Sequence, residues 1–461
     1  MKIAGTVNRR GETLTARGPQ SAFRPNATIR NLLNGEFPSG AAVVLAGRLL
    51  EYQGRTLRLS SEGLQLSVEL ATEIDTWPNR FAWIGVQGHW EQVTQKVSRA
   101  ELLFWQEPDM SVAEAAACKL PEVKVLTAPW RLEAIAKRAK LLRFAREFME
   151  AHGFLEVQTP MLRAAPEVAY LEQCTTVAAN SQILYLRTDP EEYLKRYLTI
   201  GLEAVYEIST NVRVEEADRD HLQEFTTLEC YRQFGTLSDS IKTCCAFIVG
   251  ALNSVGTGTT TSLHGQAVDL TPPLPVRSYA EILLTCGLNI EQYPTTDSLA
   301  REIRERGWWE GTGGPLDQFR RTWLEWLLTN RIQPLIDRPT FVTEFPIELG
   351  LSYRACSDRP AICHRGELYL PGGFELAHVY EIMTDAAQIR ERYEERLCYR
   401  VAAGLPAVAL DEGLIDSAAF GMPPMSGLAL GLDRLLMLVL GKGIIGDGLL
   451  FPREGFNEGE L

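Results

Sequence analysis

Three cationic groups, Arg213, Arg219 and His221, lie in the run VYEISTNVRVEEADRDHLQEFTTLECYR, residues 205–232. A strand delivers Arg213, a polar acidic loop follows, and a second strand delivers Phe225, Glu229 and Tyr231. Cations gathered at one hairpin suit a polyphosphate, because guanidinium groups match phosphate oxygens in charge and geometry. Phe225 offers a flat face to a base. A second constellation is GLALGLDRLLML, residues 427–438. Gly427 and Gly431 let a backbone approach a ligand closely. Arg434 follows in the first turn of an apolar helix, whose positive N-terminal end adds to its attraction for an anion. Taken singly, each has a structural reading as well: a hairpin arginine on the surface, or an arginine that fixes a helix start.

The elements that must position these groups form two kinds of pattern. Residues 1–36 are polar and punctuated by Pro and Gly, and form an N-terminal extension. Between 41 and 106 lie five short apolar runs separated by turn residues, and Leu64, Leu66, Val68 and Leu70 alternate with the period of a strand. Residues 37–110 are therefore expected to form a small OB-like β-barrel, with a generic β-sandwich as the other reading. Trp83, Trp90 and Trp105 are either its core or a stacking platform. Residues 111–127 read as a linker, and 128–461 as a larger α+β domain, an antiparallel sheet flanked by helices. Helices are expected near 130–152, 190–200, 236–252, 316–335 and 385–402, with a strand at 154–160.

Composition narrows the function classes. The chain has 461 residues, 45% of them hydrophobic and 23% charged, as in a soluble globular protein of two or three domains. No apolar run approaches the ~20 residues that span a bilayer, and the N-terminus lacks the apolar stretch of a signal peptide, so a cytoplasmic protein without a membrane partner is expected. The formal net charge of −13 argues against a broad nucleic-acid footprint. The helix containing Arg131, Lys137, Arg138, Lys140, Arg143 and Arg146 is either a solvated face or a basic patch for an acidic partner. Nine scattered cysteines suit reduced thiols. Cys356, Cys363 and His364 lack a fourth zinc ligand at a familiar spacing.

The order and spacing of GFLEVQTPML (153–162), the 205–232 run and PPMSGLALGLDRLLML (423–438) resemble the three signature motifs of class II aminoacyl-tRNA synthetases. The match is to the lysyl branch, and within it to the elongation factor P (R)-β-lysine ligases, paralogues that modify a protein. It covers about residues 128–453. The resemblance implies an ATP- and Mg2+-using enzyme that activates an amino acid as its adenylate. It also implies a homodimer built through the helix near 130–152 and the strand after it. Arg213 would grip the α-phosphate, with Glu215 beside it, and His221 would meet the outer phosphates. Phe225 would stack on adenine, with Arg434 on the other face or on the γ-phosphate. Arg213 and Arg434 would be catalytic. Glu367 and Glu375 would hold magnesium, for which carboxylate oxygens are the fitting ligands. Glu191, in TDPEEYLKR, would bind the substrate amino group. Glu229, Tyr231, His378, Tyr380 and Ile382 would line the substrate pocket.

The chain also departs from the family pattern. Val214 stands where motif 2 has asparagine. In GGFELAHVYEIMTD (372–385), His378 and Val379 replace an Asn-Gly pair, and Ile382 replaces a second glutamate that neutralises the distal ammonium of lysine in relatives. By strand parity Glu381 points to the opposite face unless a bulge turns it inward or the register is displaced by one. The expected outcome is retained ATP handling with an altered acyl substrate, passed to an amine that is not tRNA: a protein lysine, as in elongation factor P, or a small molecule. An ordinary lysine–tRNA ligase and a non-catalytic paralogue are the alternatives. The β-rich N-terminal domain resembles the anticodon-reading barrel of lysyl-tRNA synthetases. Few of its basic residues stand beside exposed aromatics, as RNA reading requires.

Overall fold

The computed structural model describes residues 6–7, 13–14, 23–62, 64–74, 79–106, 128–166, 173–178, 181–214, 218–311, 316–350, 352–406 and 408–449. The linker 111–127 and Glu215 lie outside the described residues. One compact unit covers the chain up to Ala136, and a second runs from Lys137 to Gly448.

The first unit contains a closed five-stranded barrel. Its strands are β1 (Ala42–Gln53), β2 (Thr56–Ser61), β3 (Leu64–Leu70), β4 (Trp83–Glu91) and β5 (Lys96–Gln106), in the order β1-β2-β3-β5-β4. Pairing of β1 with β4 closes it, and β3 with β5 is its parallel pair. The alternating residues Leu66, Val68 and Leu70 fill the interior with Leu57, Leu59, Val43 and Leu45. Closure settles the barrel against the sandwich. Trp90 and Trp105 are core residues, whereas Trp83 is 37% exposed with the Arg48 guanidinium 4.8 Å over its ring.

The second unit is built on an eight-stranded sheet. Helix α1 (Pro129–Ala151) precedes β6 (Leu155–Glu156), and a small sheet follows from β7 (Leu162–Arg163), β8 (Thr175–Val177) and β9 (Ile183–Leu186). Then come α2 (Glu191–Thr199), β10 (Ala204–Val212), β11 (Glu224–Gln233), α3 (Leu237–Ser254), β12 (Thr260–Leu263), β13 (Gln266–Asp269) and β14 (Val276–Ser278). The chain continues through α4 (Arg320–Leu327), β15 (Thr340–Pro346), β16 (Ile362–Leu370), β17 (Phe374–Glu381), α5 (Ala386–Ala402), β18 (Met425–Gly431) and α6 (Leu432–Leu440). The large sheet runs β14-β15-β16-β17-β18-β11-β10-β6. Its central pairs are antiparallel and its two edge pairs, β14/β15 and β10/β6, are parallel. The expected strand at 154–160 is only two residues long, Leu155–Glu156, paired parallel with β10. Among the described residues, no helix is long and apolar enough to cross a membrane.

Candidate active site

The central antiparallel strands present one face as the floor of a cavity of about 530 Å³. Cross-strand register sets its pattern. Thr227, Glu229 and Tyr231 on β11 face Gly431, Ala429 and Gly427 on β18. Ala429 and Gly427 in turn face His378 and Tyr380 on β17, and these face Glu367 and Arg365 on β16. Residues two apart share a face, so four strands deliver their polar groups to one surface. A bulge at Leu376 adds one residue to β17, with Leu368 opposite Ala377 but Tyr369 opposite Glu375. That extra residue puts Glu375 and His378, three apart in sequence, on the same face.

β18 carries small side chains because its neighbours are large. A Cβ on Gly427 would come within 2.6 Å of both the Tyr231 and Tyr380 rings, whose hydroxyls hydrogen-bond at 2.6 Å. Gly427 therefore makes room for two tyrosines, where sequence reasoning had it admit a ligand. Gly431 does line the cavity.

The nucleotide-type groups converge at one end. Arg213 lies 5.1 Å over the Phe225 ring, and its buried Nε has no hydrogen-bond partner among the described residues. Arg434 lies over Phe374 at 5.1 Å and donates to the carbonyl oxygens of Glu375 at 2.6 Å and Asp220 at 3.4 Å. One face of the Phe225 ring is thus covered by Arg213. His221 Nδ1 is 2.9 Å from the Asp218 carboxylate, whose other donor is the Asp220 N–H. Asp433 fixes α6 to β11. It accepts from the Thr226 N–H at 2.6 Å and from Arg138, which also donates to the Thr226 hydroxyl at 2.9 Å. Arg138 is therefore a support of the site and not part of a solvated basic face.

Glu367, Glu375 and His378 place ligand atoms within 4.8 Å of one another, the one such group of three among the described residues. Burial opposes the charge of Glu367, but the Arg365 guanidinium and the Tyr369 hydroxyl hold its carboxyl below the usual range. Burial and then Glu367 push Glu375 up to about 7. Burial and then the Arg365 charge push His378 down to about 3, so its imidazole is neutral. Arg365 Nε donates to His378 Nε2 at 3.2 Å. The Glu375 carboxylate accepts no hydrogen bond from the described residues. Two neighbouring carboxylates, one of them with no donor among the described residues, fit a hard divalent cation such as Mg2+, which the oxygens would bind.

At the other end, Asp189, Glu191 and Glu229 gather. Burial and then Glu191 raise the carboxyl of Asp189, and burial and then Asp189 raise that of Glu229 well above its usual range. Glu191 accepts from the buried Lys195, one helical turn on. Glu192 is held by Arg163 and by the Tyr393 hydroxyl at 2.7 Å. A cavity wall this rich in strained carboxylates calls for a cationic group on its ligand.

The structure thus brings together Glu191, Arg213, His221, Phe225, Glu229, Glu367, Glu375, His378, Tyr380 and Arg434. Two expected residues stand apart from the cavity. Tyr231 lies behind Tyr380, and Ile382 is in the core, paired with the backbone of Tyr353. Glu381 faces away, caught by Arg354 and the Leu237 N–H at 2.8 Å, so the bulge does not turn it inward. Sequence reasoning missed Asp189, Arg365, Ser352, Tyr353, Arg321, Glu325 and Arg396, all of which line the cavity. Arg365 was within reach, two residues before Glu367 and hence on its face of β16.

The family profile for tRNA synthetases class II (D, K and N) matches residues 123–455. The chain belongs to this family. Its relatives place it on the lysyl branch. The lysine–tRNA ligase of Pelotomaculum thermopropionicum is 32% identical over 337 residues, 72% of this chain and 64% of that protein. That of Chloroflexus aurantiacus is 30% identical over 333 residues, 70% and 65%. That of Carboxydothermus hydrogenoformans is 29% identical over 396 residues, 80% and 77%. The chain spans about 65% of the length of the first two. Class II synthetases use ATP and Mg2+.

Proposed function

We propose that the chain is a cytoplasmic ATP-dependent ligase that activates an amino acid as its adenylate and passes it to an amine that is not tRNA, either a protein lysine or a small molecule. The observation that carries the activation step is Arg213: a guanidinium in the cavity, its buried Nε without a partner among the described residues, between Phe225 and the carboxylates of the acidic end. The substrate's amino group meets Glu191, Asp189 and Glu229, which holds its carboxylate toward Arg213. A carboxylate oxygen bonds to the α-phosphorus of ATP as the bond to the β-phosphate oxygen breaks, and pyrophosphate leaves. Arg213 stabilises charge that develops on the α-phosphate. Glu367 and Glu375 would hold Mg2+, which neutralises the triphosphate when bound. His221 and Arg434 flank the outer phosphates. Attack of an amine on the adenylate carbonyl then releases AMP.

The acceptor assignment rests on charge. The formal charge is −13, and several cations of the N-terminal unit are paired with carboxylates, Arg30 with Glu62, Arg58 with Glu51 and Lys96 with Glu69, although Arg48 lies over Trp83 instead. Such cations have little to offer phosphates. A tRNA acceptor is the second reading, favoured by the closed barrel and by the lysine–tRNA ligases among the relatives. Amino-acid-dependent exchange of pyrophosphate into ATP tests activation. Charging of total tRNA decides the acceptor, and efficient charging refutes the non-tRNA reading. A homodimer is supported by Leu155, Leu162, Val177 and Ile183, exposed apolar side chains on the short strands after α1.

A further inference from the structure

The loop between β10 and β11 brings His221 to the cavity, and its neighbours Arg219 and Asp220 are clasped by separate parts of the fold. Arg434 on α6 donates to the Asp220 carbonyl oxygen at 3.4 Å. The Ile445 N–H, at the start of a 3-10 turn after α6, donates to the Arg219 carbonyl oxygen at 2.9 Å. A further hold comes from outside the cavity. His264 Nε2 is 2.8 Å from the Asp220 carboxylate, and both side chains are mostly buried. A carboxylate only accepts, so Nε2 carries the proton of this bond. Asp220 lines the cavity and His264 does not.

His264 reaches the loop because its hairpin is fixed. Leu263 of β12 pairs with Gln266 of β13, which leaves His264 and Gly265 as a two-residue turn. Both have positive φ, 49° and 80°, as a type I′ turn requires. Glycine, asparagine and aspartate fill such positions more readily than histidine. The hairpin docks on the end of α6, where the Thr261 hydroxyl donates to the Leu438 carbonyl oxygen. Gly443 packs against the imidazole, and a Cβ there would lie 3.4 Å from its Cδ2. The ring also meets Phe374 edge to face, with centroids 6.0 Å apart and planes at 81°. Phe374 in turn lies under Arg434. Arg434 and His264 thus share Phe374 as a spacer and Asp220 as an acceptor, one at its carbonyl oxygen and the other at its carboxylate.

We propose that His264 is a positioning residue for the nucleotide. Through Asp220 it fixes the loop that carries His221 and commits the Asp220 carboxylate to the hairpin. The inference rests on the ligase reading above, in which this end of the cavity takes the outer phosphates of ATP. A carboxylate at that wall repels a triphosphate if it swings inward, and a charge-assisted hydrogen bond from the hairpin prevents the swing. His264 touches neither ATP nor the amino acid and acts only through the loop.

Calorimetric binding of α,β-methylene-ATP with magnesium to the purified full chain reads the effect without any amino acid. His264→Ala should weaken binding about tenfold, the loss of one hydrogen bond to a charged group, with the melting temperature as a control of folding. In pyrophosphate exchange the same variant should raise the KM for ATP in that proportion. The KM for the amino acid and kcat should stay within about twofold. His264→Gln keeps an N–H donor at the same reach and should recover most of the affinity. In an Asp220→Ala background, His264→Ala should have no further effect, because the pair acts as a unit. Unchanged binding by His264→Ala overturns the proposal, and so does an equal loss in the Asp220→Ala background. A wild-type chain that binds the analogue but exchanges with no amino acid removes the ligase reading and leaves the His264 result standing. A wild-type chain that does not bind the analogue removes both.

Discussion

Replacing Arg213 with alanine isolates the contact on which activation depends. Its guanidinium lies in the cavity over Phe225, and its charge acts on Asp189, Glu229 and Glu375. At an effective dielectric constant of about 20, a charge pair about 4 Å apart is worth about 4 kcal/mol. Loss of one preorganised contact to developing charge costs about 2.7–4 kcal/mol in comparable sites. At about 1.4 kcal/mol per factor of ten, Arg213→Ala should slow adenylate formation about a hundredfold to a thousandfold. The fold should persist, since the carboxylates that lose their cation take up protons instead. The assay is pyrophosphate exchange at saturating ATP, with a thermal melt as control. A contact made only in the transition state lowers kcat and kcat/KM alike. Arg213→Lys should recover part of the rate, because it keeps the charge and loses the planar fork. Exchange within about threefold of the wild type, with an unchanged melt, would refute the assignment.

Burial raises Glu375 to about 7, so the folded chain holds a proton there that the unfolded chain has already released. Its contribution to stability is therefore present at low pH and lost as pH rises from the ordinary carboxylate range to about 7. Magnesium competes for the same oxygens, so magnesium alone should raise the melting temperature more at about pH 8 than at about pH 6. Glu375→Gln should abolish that difference. Gly427→Ala drives a Cβ into Tyr231 and Tyr380 and should cost about 1–3 kcal/mol in denaturant unfolding; an unchanged midpoint would contradict the close packing. If Leu162 and Val177 lie in a dimer interface, Leu162→Arg should shift sedimentation from dimer to monomer. A wild-type monomer at micromolar concentration would remove that interface.

What could be read from the sequence follows from physical periodicity. Leu66, Val68 and Leu70 alternate because the barrel wall has one inner face, and closure was the remaining unknown. Strand parity turned Glu381 away from the cavity, and Arg354 holds it there. The bulge at Leu376 was invisible, since an extra residue in a strand changes pairing without changing composition. Ile382 was expected in the pocket because parity aligns it with His378 and Tyr380. It is excluded because Tyr353 occupies the space, and Tyr353 comes from a loop with no period to reveal its direction. Arg321 and Arg396 were equally hidden, on helices whose inward faces are decided by packing far along the chain.

The two ends of the cavity draw on different parts of the fold, and this lets one change while the other is kept. The phosphate-type groups come from β11, β16, the start of β17 and α6, tied together by Asp433, Arg138 and the carbonyl oxygen of Glu375. The acyl-end groups come from Asp189 and α2, Glu229 on β11, the end of β17, the loop at Ser352 and Tyr353, and helices α4 and α5. Changes at 321, 353, 382 or 396 therefore reshape the acyl end without moving Arg213, Glu375 or Arg434. Arg213 is the point where the ends meet. When its charge is committed to a phosphate, Asp189 and Glu229 lose their nearest compensation and attract an ammonium more strongly. On the proposed function, ATP and an amino acid bound through its ammonium would then favour each other's binding, since coupling between two sites acts equally in both directions.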